Sequence, residues 1–245
     1  MKTVLITGAN KSIGFEVARQ MLQKGFYVFL GSRSLENGQK AVELLQSEGM
    51  SNVMAIEIDV TDDISVQAAR IEIGKKTDVL DVLINNAGIT GGQPQQALAA
   101  TPEQFKKVFD TNVIGVARVT QAFIDLVKKS PAPRIVNVSS GQGSLTLAND
   151  TSSPYYNFKG AVYQSSKAAL NMFSIILAYE LRETEIKVNM VCPGFTKTDF
   201  NQHRGTGTVE VAAARVVKYA LIDKDGPSGK FFCEEFYPEG VECPW

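Results

Sequence analysis

The sequence predicts an α/β fold, a doubly wound parallel sheet of about seven strands with helices on both faces. Three observations carry this. Short runs rich in β-branched residues alternate with stretches of helical period along the whole chain. The first such pair is joined by a glycine-containing turn. No repeat, low-complexity tract or shift of composition divides the 245 residues, so one domain covering 1–245 is expected.

The elements follow in order. Residues 3–7 form a buried-type strand, broken at Gly8; around and beyond Gly14 the apolar positions Ile13, Val17 and Met21 repeat with helical period. Strand, glycine turn and helix together aim free N–H groups and a positive dipole end at a phosphate, so the chain opens on a nucleotide site. Tyr27–Leu30 is the second strand, and Leu35–Glu48 the second helix, ended by Gly49. Val53–Ile58, Ile64–Lys76 and Val79–Asn85 continue the alternation. Thr101 with Pro102 and Gln104 reads as a capping box opening a helix that runs to Lys129, bent near Gly115. Ile135–Ser139, the long helix Ala161–Arg182, Lys187–Val191, Val209–Leu221 and Gly229–Cys233 complete the set. Parallel neighbours need crossovers, which places helices on both faces. Two irregular stretches, 141–160 and 196–208, begin where strands end, the edge at which doubly wound sheets bind ligands.

Composition narrows the function. A formal net charge of −1 gives no electrostatic reason for a nucleic-acid or anionic-membrane partner. No apolar run has the length of a membrane span and the N-terminus lacks a signal-peptide layout, so a cytoplasmic protein is expected. The 3 cysteines, Cys192, Cys233 and Cys243, have no metal-like spacing, and with 1 histidine, His203, no metal site is expected.

Tyr163 and Lys167 lie one helical turn apart near the start of the long helix, on one face. A free phenol titrates near ~10, and a neighbouring cation lowers this toward the working range of a proton donor. Tyr155 and Lys159 share the spacing, but Pro154 and Gly160 flank them, whereas no Gly or Pro interrupts the stretch that follows Tyr163.

The chain resembles the short-chain dehydrogenase/reductase family, most closely its carbonyl-reductase branch. The resemblance rests on TGANKSIG (7–14), Asp59-Val60, NNAG (85–88), Asn112, Ser140 after VNVS, YQSSK (163–167) and PGFTKT (193–198), all in the family's order. It implies a single-domain Rossmann-type fold and a catalytic set of Asn112, Ser140, Tyr163 and Lys167. Tyr163 would hand a proton to a carbonyl oxygen while a nicotinamide delivers hydride. Lys167 would lower the Tyr163 pKa and bond the nicotinamide ribose, Ser140 would polarise the carbonyl, and Asn112 would hold a relay water. Gly8, Asn10, Lys11, Ser12, Ile13 and Gly14 would line the pyrophosphate turn. Asp59 and Val60 would meet the adenine, Asn86, Ala87 and Gly88 the adenosine ribose, and Pro193, Gly194, Thr196 and Thr198 the carboxamide end. Ser12 stands where the family's glycine fingerprint has its middle glycine, a departure that leaves cofactor affinity open.

The cofactor choice is read from the end of the second strand, where an acidic residue would favour NAD. Here Ser32 is followed by Arg33, and Lys11 adds a second cation, so NADP(H) is expected. The substrate is a small or medium ketone or aldehyde, or the corresponding alcohol. Residues 195–208, with Phe195 and Phe200, form a flexible lid over an apolar pocket. An insertion around 144–158 brings Tyr155, Tyr156 and Phe158 to the pocket wall and leaves both a monomer and a homo-oligomer open. A reductase dedicated to one metabolite, such as a 3-oxoacyl thioester or a sugar, and a non-catalytic NADPH sensor are the alternative readings. The last fifteen residues cover the cleft or make a subunit contact.

Overall fold

In a computed structural model describing residues 1–153 and 156–245, the strands form one parallel 7-stranded sheet in the order β3-β2-β1-β4-β5-β6-β7. The strands are β1 (Thr3–Ile6), β2 (Tyr27–Ser32), β3 (Val53–Glu57), β4 (Val82–Asn85), β5 (Arg134–Val138), β6 (Lys187–Val191) and β7 (Lys230–Phe232). The helices are α1 (Ser12–Gln23), α2 (Leu35–Ser47), α3 (Asp63–Gly74), α4 (Pro102–Phe109), α5 (Gly115–Val127), α6 (Leu145–Asn149), α7 (Ala161–Glu180) and α8 (Val209–Ala220). The expected fold class is therefore the observed one.

Strand alternation divides the core cleanly. Val4, Ile6, Val28, Leu30 and Val136 point to the face covered by α1 and α8 through Val17, Met21, Val216 and Val217. Leu5, Phe29, Leu83 and Ile135 point to the other face, covered by α3, α5 and α7 through Val66, Phe123, Leu126 and Ala178. Both faces of a parallel sheet are thus buried, which is why its strands read as continuous apolar runs. The order reverses between β1 and β4, so the carboxyl ends of those two strands flank the crevice in which doubly wound sheets take a ligand.

Several elements differ from expectation for identifiable reasons. β2 extends to Ser32 because it stays in register with β3 as far as Ser32 beside Glu57. The helix beginning after Thr101 has its capping box, but the change of course lies at Asp110–Ile114, a π-helical turn just before Gly115. A turn of this kind admits one extra residue and so rotates α5 about its axis relative to α4. α6 was not expected: Ser144 caps it by accepting from Leu147 N–H at 3.0 Å. The last fifteen residues fold back along β7 and α6. Trp245 stacks on Phe231 at 5.8 Å, its carbonyl accepts from Thr146 N–H at 2.7 Å, and Cys243 N–H donates to Phe231 O at 2.7 Å.

Candidate active site at the carboxyl edge of the sheet

The turn after β1 and the loop after β4 are strapped together. Thr7 Oγ1 accepts from the N–H groups of Asn86 and Ala87 at 3.0 and 3.1 Å. Asn86 Nδ2 donates back to Thr7 O and Gly8 O at 2.9 and 3.0 Å. This approach demands glycine twice. A Cβ on Gly14 would lie 2.5 Å from both Asn86 Nδ2 and Gly8 O. Gly8 has φ +63, and a Cβ there would meet Ala87 Cα at 3.0 Å. Ser12 occupies its glycine-like position with φ 53, so the backbone keeps the left-handed conformation that a glycine would supply freely. The turn and the start of α1 therefore form a cradle that fits a pyrophosphate.

At the neighbouring strand end, the 3-10 turn Gly141–Gly143 follows β5, and Ser140 caps it by accepting from Gln142 N–H at 3.2 Å. α7 lies against this turn: a Cβ on Gly143 would sit 2.9 Å from the Lys167 backbone. A buried polar seam then fixes the helix. Lys167 Nζ donates to Val138 O at 2.8 Å, Ser139 Oγ to Asn171 Oδ1 at 2.6 Å, and Asn137 Nδ2 to Ser174 Oγ at 2.8 Å. Residues 167, 171 and 174 repeat with helical spacing, so the middle turns of α7 are tied to β5 and the residue that follows it. The seam continues through Asn85 Nδ2, which donates to Asn137 Oδ1 at 2.8 Å and Thr120 Oγ1 at 3.2 Å.

This packing brings Ser140, Tyr163 and Lys167 into one cleft. The Ser140 hydroxyl faces the Tyr163 phenol, and Lys167 Nζ stands 5.8 Å from the Tyr163 ring centre. Burial pushes the Tyr163 phenol well above its usual pKa, against the opposing influence of Ser140. Burial also lowers the Lys167 pKa to about 8. The expected depression of the tyrosine is thus not the net outcome: desolvation acts on both groups, and the lysine is tied to Val138 O.

Asn112 sits in the π turn, 0% exposed, with its side chain fully engaged. It accepts from Ile89 N–H at 2.9 Å and donates to Ile89 O at 2.9 Å and Ser166 Oγ at 3.0 Å. A Cβ on Gly88 would lie 3.4 Å from Asn112 Oδ1 and 3.7 Å from Lys167 Nζ, which puts both side chains at one wall of the cleft. Asp59 turns inward on its own loop, Oδ1 accepting from Thr61 N–H at 2.9 Å and Thr61 Oγ1 at 2.7 Å. Val60 packs beneath Gly115, whose Cβ would lie 2.9 Å from it. Arg33 is exposed at the end of β2. Lys11 instead pairs with Asp199 at 3.0 Å, and Asp199 also receives His203 Nε2 at 3.0 Å.

The 195–208 segment, expected as a flexible lid, carries hydrogen bonds of its own. Lys197 N–H donates to Gly207 O, Gly207 N–H and Thr206 N–H to Phe195 O, and Asn201 Nδ2 to Thr196 O, all at 2.8–2.9 Å. Phe200 meets the Tyr163 ring edge-on at 5.7 Å. Pro193 O accepts from Arg215 at 2.8 Å and Phe195 N–H donates to Glu235 at 2.9 Å, holding the turn at Gly194 (φ +91). Thr196 and Thr198 are 4% and 5% exposed behind it.

Tyr155 lies outside the described residues; Lys159, its partner in the competing pair, precedes α7, is exposed, and donates to Ala148 O. Tyr156 packs its ring on Lys159 Nζ at 4.3 Å, and Phe158 is 56% exposed.

Gln95 carries no signal in the sequence. The N-cap of α7, Gly160, has no side chain to offer the first turn. Gln95 supplies the cap from another loop: its Oε1 accepts from Tyr163 N–H at 3.2 Å and its carbonyl from Ala161 N–H at 2.8 Å. Its Nε2 holds Thr90 O and Gly92 O at 2.8 and 2.6 Å. No local pattern reveals a cap delivered across the fold. Gln95→Ala is expected to cost about 0.5–2 kcal/mol, the usual worth of an N-cap, measured by urea unfolding; an unchanged midpoint contradicts the assignment.

The family model described as short chain dehydrogenase matches residues 2–208. Salutaridine reductase of Papaver bracteatum is 32% identical over 96% of this chain and 95% of its own. (−)-Isopiperitenone reductase of Mentha piperita is 34% identical over 93% of this chain and 95% of its own. Among solved structures, an NADPH-bound carbonyl reductase from chicken fatty liver has a TM-score of 0.84 at 28% identity, covering 100% of this chain and 99% of the other. With its fold, glycine turn and Tyr163–Lys167 cleft in place, the chain belongs to the short-chain dehydrogenase family.

Proposed function

We propose that this protein is an NADPH-dependent carbonyl reductase, converting ketones and aldehydes to alcohols and able to run in reverse. One observation supports the reading: Tyr163 faces Ser140 one helical turn from buried Lys167, whose Nζ lies beside Gly88 in the loop strapped to the glycine turn. The NADPH-bound neighbour supports the choice of cofactor. Bound NADPH supplies hydride to the carbonyl carbon.

The chain's own residues then handle the oxygen. Tyr163, kept protonated by burial, donates its proton to the oxygen as negative charge develops there. Ser140 Oγ orients that oxygen and shares its charge. The Lys167 ammonium stabilises the phenolate left behind, and its contact wall with Asn112 leads the replacement proton inward. Phe200, packed on the Tyr163 ring, keeps water from the reacting centre and favours apolar carbonyl substrates.

NADPH oxidation in the presence of a panel of ketones tests this reading. Tyr163→Phe is expected to lower kcat by about 10²–10⁴-fold, the usual contribution of a positioned acid. The pH dependence has a definite sign. Lys167 loses its proton as pH rises through about 8, so the reductive rate falls above that value. A rate that stays level up to the ordinary lysine range of ~10.4 contradicts the role. Tight NADPH binding without turnover of any carbonyl would favour a sensor.

The 2′-phosphate is read by Arg33, exposed at the end of β2, while Lys11 completes the clamp on leaving Asp199. Arg33→Asp is expected to weaken the NADPH preference by about tenfold or more, as loss of a charge-assisted hydrogen bond implies. Equal kcat/KM for NADH and NADPH in the native protein is the opposing result.

A further inference from the structure

β6 and β7 bring together side chains that the sequence keeps far apart. The strands pair with Val191 beside Phe232, and Cys192 N–H donates to Phe232 O at 2.8 Å. Parallel register therefore sets Cys192, just past β6, next to Cys233, just past β7. The two cysteines are 2% and 0% exposed, and their thiols face each other. Both Sγ atoms and a carboxylate oxygen of Glu235 lie within 4.8 Å of one another. The backbone of Gly141 and Gly194 lies near Cys192 Sγ.

We propose that Cys192, Cys233 and Glu235 form a binding site for one thiophilic divalent cation, Zn²⁺ or Cd²⁺. Two sulfurs and one carboxylate make a three-ligand set with a fourth tetrahedral position left for water. Soft sulfur ligands select these ions over Mg²⁺ or Ca²⁺. The backbone of Gly141 and Gly194, close to Cys192 Sγ, supplies the polar surroundings that steady a thiolate ligand. On binding, the two thiol protons leave to solvent, and the dication with two thiolates and a carboxylate carries one net negative charge. That charge faces cations on both sides. Lys167 lies in the adjoining cleft, and Arg215 holds Pro193 O at 2.8 Å and Glu234 O at 3.3 Å across the same turn.

The site lies directly behind the catalytic cleft. Gly141 follows Ser140, and Pro193–Gly194 follows Cys192. A bound cation draws both backbone segments toward itself and inhibits turnover. The inhibition rests on the reductase reading, whereas the binding does not.

The test titrates the full-length protein with Cd²⁺ under reducing, chelator-free conditions, following the ultraviolet cadmium–thiolate band and bound cadmium by equilibrium dialysis. One ion per chain is expected, not displaced by Mg²⁺. Affinity falls tenfold or more in Cys192→Ser and in Cys233→Ala, less in Glu235→Gln, and is retained in Cys243→Ser. Circular dichroism and thermal unfolding establish that each variant is folded. No band at one equivalent, or a band that persists in both folded Cys192 and Cys233 variants, overturns the site. In the kinetic arm, Cd²⁺ inhibits NADPH-dependent ketone reduction by the wild-type protein and spares Cys233→Ala. Stoichiometric binding with unchanged turnover overturns the inhibitory role alone.

Discussion

The site depends on a polar seam between a helix and a strand that would ordinarily meet through aliphatic side chains. Lys167, Asn171 and Ser174 bind Val138, Ser139 and Asn137 in successive turns, and Asn85 carries the network on to Thr120. Apolar packing alone would let α7 rotate or slide by small amounts at little cost, because dispersion contacts have no fixed direction. Buried hydrogen bonds do not tolerate this, since each unmade bond leaves a desolvated group costing about 1–3 kcal/mol. The seam therefore sets the azimuth of α7, and that azimuth turns Tyr163 toward Ser140. Gly143 allows the approach, and Gln95 ties down the end of the helix.

The same burial that fixes the geometry sets the protonation states. Desolvation penalises a phenolate and an ammonium alike, raising Tyr163 and lowering Lys167. In the proposed reaction this makes the free phenol a weaker acid than an ordinary tyrosine. The charge on Lys167, held less tightly than that of an ordinary lysine, is what would have to favour proton release. A pairwise electrostatic argument from spacing alone reaches the opposite sign for the tyrosine because it omits the solvent.

The features legible in the sequence are those governed by local rules. Strand runs, the glycine turn and the Thr101 capping box are each written in a few adjacent residues; the turn and box appear where expected, and the strands within a few residues, β4 starting at Val82 rather than Val79. Juxtapositions made by the sheet stay hidden. Gln95 caps a helix that starts far along the chain. The pairing of β6 with β7 joins Cys192 to Cys233, which no spacing rule for metal ligands would connect. Lys11, read as a cofactor ligand, meets Asp199 across the cleft, so the glycine turn and the 195–208 segment are linked through an ion pair. The hydrogen bonding of that segment was equally hidden, because its Gly and Thr residues read as flexible when their partners are unknown.

Hydride transfer coupled to a proton from Tyr163 is the claim on which the functional account rests. Its most direct test supplies NADPH deuterated at the transferable nicotinamide position together with a prochiral ketone, and locates the label by mass spectrometry. The account predicts one deuterium at the carbinol carbon with the native protein, and loss of labelled product when Tyr163 is replaced by Phe. Unlabelled product, or label transferred equally well without the phenol, would contradict it.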